Sequence, residues 1–150
     1  MGSPLQPWDG FRFVHEVVPD AEAHPFHLNN LGVAELLFDA RNAYITEAVG
    51  LSWQDLFDSG RVFAMRRLEI DYERQVAAGA LLKVGVRAVQ RSRRTLTFEE
   101  AAWETEPASR FAVARSVHLI VGNDTGDALE LPDDILDSFE DFEGRRLPER

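Results

Sequence analysis

The chain has 150 residues, 45% of them hydrophobic, no cysteine, and a formal charge of −10. Length and apolar content suit one globular domain with a full core. The lack of cysteine excludes disulfides, thiolate metal sites and a cysteine nucleophile, and the acidic balance argues against nonspecific nucleic-acid binding, which needs an electropositive footprint.

The first residues, Met1-Gly2-Ser3-Pro4, have neither the basic region nor the apolar core of a signal peptide, and no apolar run approaches the roughly 20 residues that cross a bilayer. The expectation is a cytoplasmic protein without a membrane partner. Phe11, Phe13 and Val17 alternate with polar residues and predict a first strand, broken by Pro19-Asp20. Next comes the stretch His27-Leu28-Asn29-Asn30, and then a long apolar stripe: Leu31, Ala34, Leu37, Ala40, Tyr44 and Ala48, joined by Val33, Leu36 and Ala43. Three- and four-residue spacing predicts a helix, with Asn29 or Asn30 as N-cap and Gly50 as its stop. Four segments, Arg61 to Val76, Leu81 to Gln90, Thr95 to Trp103 and Phe111 to Val121, are rich in β-branched and aromatic residues and read as successive antiparallel strands. Pro132 and the acids around it predict a solvated C-terminal turn or short helix. The layout is α+β, one long helix against an antiparallel sheet, in a single domain with peripheral segments over residues 1–9 and 132–150.

The chemistry concentrates at the start of the helix. Unpaired backbone N–H groups and the positive end of the helix dipole can polarise a carbonyl oxygen there, which suits acyl transfer. The four histidines, His15, His24, His27 and His118, lack ligand spacing such as HExxH, so no metal is expected. Three catalytic devices fit the stretch. Glu22 can act as nucleophile or general base, His27 as a base suited to neutral pH, and donors at the helix start, with Asn29 and Asn30, as an oxyanion site. Asp39 can take the base role from the helix itself. Arg93 and Arg94 are candidates for holding phosphates, and Trp53, Phe57 and Phe63 for walling an apolar tunnel.

From about Phe11 to Leu131 the chain resembles the hot-dog fold thioesterases, the group of 4-hydroxybenzoyl-CoA thioesterase and the small acyl-CoA thioesterases. The resemblance rests on Asp20-Ala21-Glu22, His27-Leu28-Asn29-Asn30, Asp39-Ala40-Arg41, Arg67 to Tyr72, Gly79 to Val84, and the basic, hydroxyl-rich turn Arg91 to Phe98. It implies a central helix wrapped by a five- to six-stranded antiparallel sheet, hydrolysis of an acyl-CoA or acyl-carrier-protein thioester, and a homodimer or homotetramer with the acyl group between two subunits. Coenzyme A or phosphopantetheine enters only as part of the substrate, and no separate cofactor is implied. Arg41, Arg93, Arg94 and Thr95 would hold the substrate. Counting back from His27 without a gap, the family's catalytic carboxylate falls on Ala23; one extra residue in the turn puts Glu22 there. Alternatives are a hot-dog dehydratase or hydratase acting on an acyl thioester, and a noncatalytic acyl-thioester-binding protein.

Overall fold

The computed structural model describes residues 4–150; Met1 to Ser3 of the amino-terminal segment lie outside the described residues. A 3-10 turn at Pro7–Gly10 leads into β1 (Phe13–Val17), and an irregular turn then enters α1 (Asn30–Ala43). One wider π turn, Tyr44–Ala48, extends α1, and Gly50, at φ +90°, ends it. A short α2 (Trp53–Asp58) precedes β2 (Arg61–Tyr72), β3 (Leu82–Arg91), β4 (Thr95–Thr105) and β5 (Ala108–Gly122), and the chain closes with α3 (Asp133–Glu143). The five strands form one antiparallel sheet in the order β1-β3-β4-β5-β2. This is the hot-dog arrangement, with five strands wrapped on the helix.

Strand alternation sorts the sheet into two faces. Val84, Val86 and Ala88 of β3, Leu96, Phe98 and Ala102 of β4, and Ala112, Ala114 and Ile120 of β5 turn inward. They meet Val33, Leu36, Leu37, Ala40 and Tyr44 of α1, the stripe that its spacing predicts. Each large side chain buried this way contributes about 1.5–3 kcal/mol. Tyr44, Phe98 and Phe139 form the centre, with ring centroids 5.4–5.8 Å apart.

The carboxyl-terminal region departs from its expected peripheral role. Ile135, Leu136 and Phe139 of α3 are buried in the common core, while Asp133, Asp137 and Asp141 stay exposed. The acids dominate the composition, but the apolar residues among them recur at helical spacing and make one packed face. A hydrogen bond from the Tyr44 hydroxyl to Glu143 ties the end of α3 to the helix beneath, and burial beside that carboxylate pushes the phenol well above its ordinary range.

The two sheet edges differ. β1 is five residues long, whereas β2 runs for 12 and leaves its outer backbone edge unpaired. Met65, Leu68 and Tyr72 of β2, with Leu31 and Phe38 of α1, form an exposed apolar strip along that edge, Leu31 being 72% and Phe38 53% exposed. A long edge with such a strip is a pairing surface unless it is covered.

Candidate active site

The start of α1 is built by the chain just before it. Asn29 is the N-cap: its side-chain oxygen accepts the Gly32 N–H at 2.8 Å, and its backbone carbonyl accepts Val33 N–H at 3.0 Å. Leu28 is buried and its N–H is held by Val76 at 2.9 Å, which fixes the entry of the chain. Capping therefore uses the third and fourth helical N–H groups. Those of Asn30 and Leu31 have no acceptor among the described residues and open at the exposed end of the helix. The other asparagine serves differently: the Asn30 carbonyl accepts the Tyr72 hydroxyl at 3.2 Å, joining the helix start to β2.

Beside this end lies a cavity of about 160 Å³ lined by Asp20, His24, Gly32, Glu35 and Asp39 over a floor of Leu28 and Leu36. His24 packs on Gly32; a Cβ there would stand 3.1 Å from the imidazole carbon and 3.3 Å from Leu28, so the missing side chain lets the ring approach the helix. Gly32, Glu35 and Asp39 share a face through three-, four- and seven-residue spacing. Of the residues singled out in the sequence, Asp39 lines this cavity. Glu22 and His27 are exposed in the preceding turn and are not among its walls. The Glu22 N–H is bonded to Asp20 Oδ1 at 2.9 Å, an Asx turn that shapes the loop. Ala23 is exposed in the same turn. His24 and Glu35 were not identified from the sequence; the i, i+4 pair Glu35 and Asp39 was the available signal for the acid, whereas nothing local reveals that His24 folds over Gly32.

Arg41, expected at the thioester, is placed elsewhere. It is buried, and its Nε donates to Glu100 Oε1 at 2.6 Å. On the helix it falls toward the sheet rather than toward the opening of the helix, because 41 belongs to the core-facing side with Leu37 and Tyr44. A polar chain continues from there through the core: Ser116 Oγ donates to Glu100 Oε2 at 2.9 Å, and His118 Nε2 lies 2.9 Å from Ser116 Oγ. A hydroxyl has one proton, so with Ser116 donating to Glu100, His118 donates its Nε2–H to the Ser116 oxygen. Burial pushes the Glu100 carboxyl up, against the pull of Arg41 and Ser116. Burial, with the Arg41 charge adding, holds His118 down to about 3.

This last shift has a measurable consequence. Between its ordinary value of about 6.5 and the folded value of about 3, the unfolded chain takes up a proton at His118 that the folded chain does not. The stabilisation is full above the unfolded value and is lost as pH falls through that window, by up to about 1.4 kcal/mol per pH unit. Urea unfolding between about pH 7.5 and 4.5 should thus show wild type losing more stability than His118→Gln; parallel losses would contradict the assignment.

The remaining expected residues form two separate places. Trp53, Phe57 and Phe63 meet in an apolar cleft of about 360 Å³ with Leu56, Val62 and Arg61, the Trp53 and Phe63 rings 6.1 Å apart. Its α2 residues follow the far end of α1, a helix about 20 Å long at 1.5 Å per residue. The β3–β4 turn holds Arg93 and Arg94, both exposed, but Arg93 is paired with Glu130 through its Nε at 2.7 Å. Thr95 is half-buried at the start of β4, its hydroxyl 2.6 Å from that of Ser92. Neither place adjoins the cavity beside α1.

A long helix wrapped by a five-stranded antiparallel sheet in the order β1-β3-β4-β5-β2 defines the class of hot-dog proteins. The match to a family model carries this further: residues 12–139 fit the thioesterase-like superfamily, and the chain belongs to that superfamily. Among solved structures, it is similar to a Thermus thermophilus thioesterase complexed with coenzyme A and zinc, at 25% identity over 93% of this chain and 99% of the other, with a TM-score of 0.76. A 1,4-dihydroxy-2-naphthoyl-CoA thioesterase from Synechocystis matches at 16% identity over 87% and 97%, TM-score 0.77. A Staphylococcus aureus protein solved in complex with CoA matches at 12% identity over 89% and 85%, TM-score 0.79. No curated protein matches at a significant level. Among the described residues no helix is long and apolar enough to cross a membrane.

Proposed function

We propose that the chain hydrolyses the thioester of an acyl-CoA or an acyl-carrier protein, with the reacting carbonyl at the start of α1. The observation that carries this reading is the pair of N–H groups, Asn30 and Leu31, left free by the Asn29 cap beside a cavity walled by His24 and Glu35. Two donors aimed at a developing oxyanion supply about 3 kcal/mol each. In this mechanism Glu35, one turn past Leu31 and leaning toward the helix start, activates the attacking water, and His24, lining the same cavity, holds the departing thiol. Asp39, eight residues beyond Leu31, stands about 12 Å along the axis and does not reach this carbonyl. Glu22 and His27 act outside the cavity, on the rim the substrate crosses. The superfamily and the CoA-bound structures it is similar to support a substrate carrying the pantetheine arm.

A dimer through β2 would complete the site. Pairing two β2 strands antiparallel about their midpoint, between Arg66 and Arg67, sets Tyr72 of one protomer opposite Arg61 of its partner. The start of α1 then adjoins the partner's aromatic cleft, which supplies an apolar wall for the acyl group. The strip of Leu31, Phe38, Met65, Leu68 and Tyr72 is covered in the same step. Leu68→Arg places a charge on this strip, and it is expected to move the protein from dimer to monomer by light scattering and to depress turnover with it. A dimeric, active Leu68→Arg protein would contradict this interface.

The reading is tested by free-thiol release from aromatic and short- to long-chain acyl-CoAs, and from the same acyl groups on a carrier protein. Hydrolysis gives equal amounts of thiol and free acid. Hydration of an enoyl-CoA with the thioester intact would replace it with the dehydratase reading, and saturable binding without release would make the protein a noncatalytic binder.

A further inference from the structure

The outer face of the sheet, turned away from α1, carries a ladder of charge. Arg87 of β3, Glu99 of β4, Arg115 of β5 and Glu69 of β2 are successive cross-strand partners. The ladder does not satisfy its arginines. Arg87 donates one terminal N–H to the Gly10 carbonyl at 3.1 Å and lies over the Phe11 ring, but it reaches Glu99 only at 3.7 Å, and its Nε is buried without an acceptor. Arg115 has no ion-pair partner among the described residues; its two neighbours in register, Glu99 and Glu69, are drawn to Arg87 and Arg67 instead.

Two more guanidinium groups come to the same place from distant parts of the chain. Arg12, just ahead of β1, and Arg145, just past α3, each meet only a backbone carbonyl, of Phe142 and Val89, at 3.5 Å. Arg12, Arg87, Arg115 and Arg145 line one trough of about 590 Å³ in which the acids are Glu99 and Glu143. Four cations against two anions leave a formal +2 there, in a chain of −10 overall. Glu143 is also engaged from below by the Tyr44 hydroxyl and the Ala88 N–H, so it screens the trough less than its charge suggests.

We propose that this trough is a phosphate site, separate from the start of α1 and on the opposite face of the sheet, for a phosphate dianion or the terminal phosphate of a small phosphomonoester. Guanidinium groups present paired N–H donors that match tetrahedral oxyanions, and several under-used ones converging on one pocket offer more donors than a carboxylate can accept. Local positive potential within an acidic surface concentrates small anions. A polyanion such as nucleic acid fits poorly, because Glu69 and Asp71 line the adjoining groove, which shares Arg87, Glu99 and Arg115 with the trough. That groove also presents the half-buried Phe11, packed over the buried Trp103, an apolar surface on which the organic part of a phosphomonoester would rest.

The test is a titration of the full chain with inorganic phosphate and, separately, with phosphoserine and adenosine 3′-monophosphate, at ionic strength matched with chloride and followed by amide resonances. Saturable shifts centred on Arg87 and Arg115 are expected, weakened at least ~10-fold in the Arg12→Gln/Arg145→Gln double variant and in Arg115→Gln. Equal affinity for all three ligands identifies the phosphate alone as the determinant; tighter binding of a monoester shows that the groove contributes. Thiol release from acyl-CoA should be unchanged in the double variant. Two results would overturn the site: no saturable shift with any of the three, or shifts that persist undiminished in both variants while their amide spectra show the native fold.

Discussion

Arg41→Ala is expected to lower the thermal midpoint by roughly 10 °C, the largest effect on stability of any single change considered for this protein. The substitution leaves Glu100, itself buried, with Ser116 as its remaining side-chain donor. Removing one partner of a buried ion pair costs about 3–5 kcal/mol, most of it the penalty for the stranded charge. In a domain of this size each 1 kcal/mol moves the midpoint by roughly 2–4 °C. The same reasoning separates the pair from its packing: Arg41→Met with Glu100→Leu removes both charges and restores apolar volume, so it should recover most of the loss. A single Arg41→Ala variant as stable as wild type would show that Glu100 finds another partner or a proton at little cost.

Glu35→Gln is expected to reduce kcat for acyl-CoA hydrolysis by about 100-fold or more, the scale of a positioned general base, with KM changed little, whereas Asp39→Asn, too far along the helix to reach the carbonyl, should leave kcat within a few-fold of wild type. Glutamate and glutamine are nearly the same size, and Glu35 is exposed without an ion-pair or hydrogen-bond partner among the described residues, so the fold should not register the change. Glu22→Gln is the control. Its side chain lies outside the cavity, and turnover should stay within about 3-fold of wild type, well below the loss a general base produces. The reverse ranking, with Glu22→Gln the damaging variant, would move the base into the turn and make the extra residue before His27 the reason it reaches the carbonyl.

Much of the architecture is legible in the sequence because burial imposes a period. The stripe from Leu31 to Tyr44 can meet one sheet face only as a helix, and the alternation in β3 to β5 gives the strands within a few residues of their ends. The cap is legible too, since an asparagine ahead of an apolar stripe has one common use. Two features are not. In α3, acids conceal the apolar face of Ile135, Leu136 and Phe139, because net charge is a property of composition and packing is a property of spacing. Arg41 belongs by type to a ligand site, yet its position on the helix sends it into the core, where the partner that makes burial tolerable, Glu100, lies 59 residues away. The site divides in the same way. Asn29 and Asp39 are local features of a helix and its start, whereas His24 joins them through a loop whose path is set by Asp20, Gly32 and the bond from Leu28 to Val76.

The central claim is that the thioester carbonyl is held by the first N–H groups of α1. It is tested most directly by titrating the protein with a CoA analogue in which the thioester sulfur is replaced by methylene, giving a ketone that binds but is not cleaved, and following backbone amide resonances. The largest downfield shifts should fall on Asn30 and Leu31, with smaller changes at Gly32, Glu35 and Asp39. Saturable binding that leaves Asn30 and Leu31 unmoved and instead shifts Arg93, Arg94 and Thr95 would place the acyl thioester at the β3–β4 turn and contradict the account.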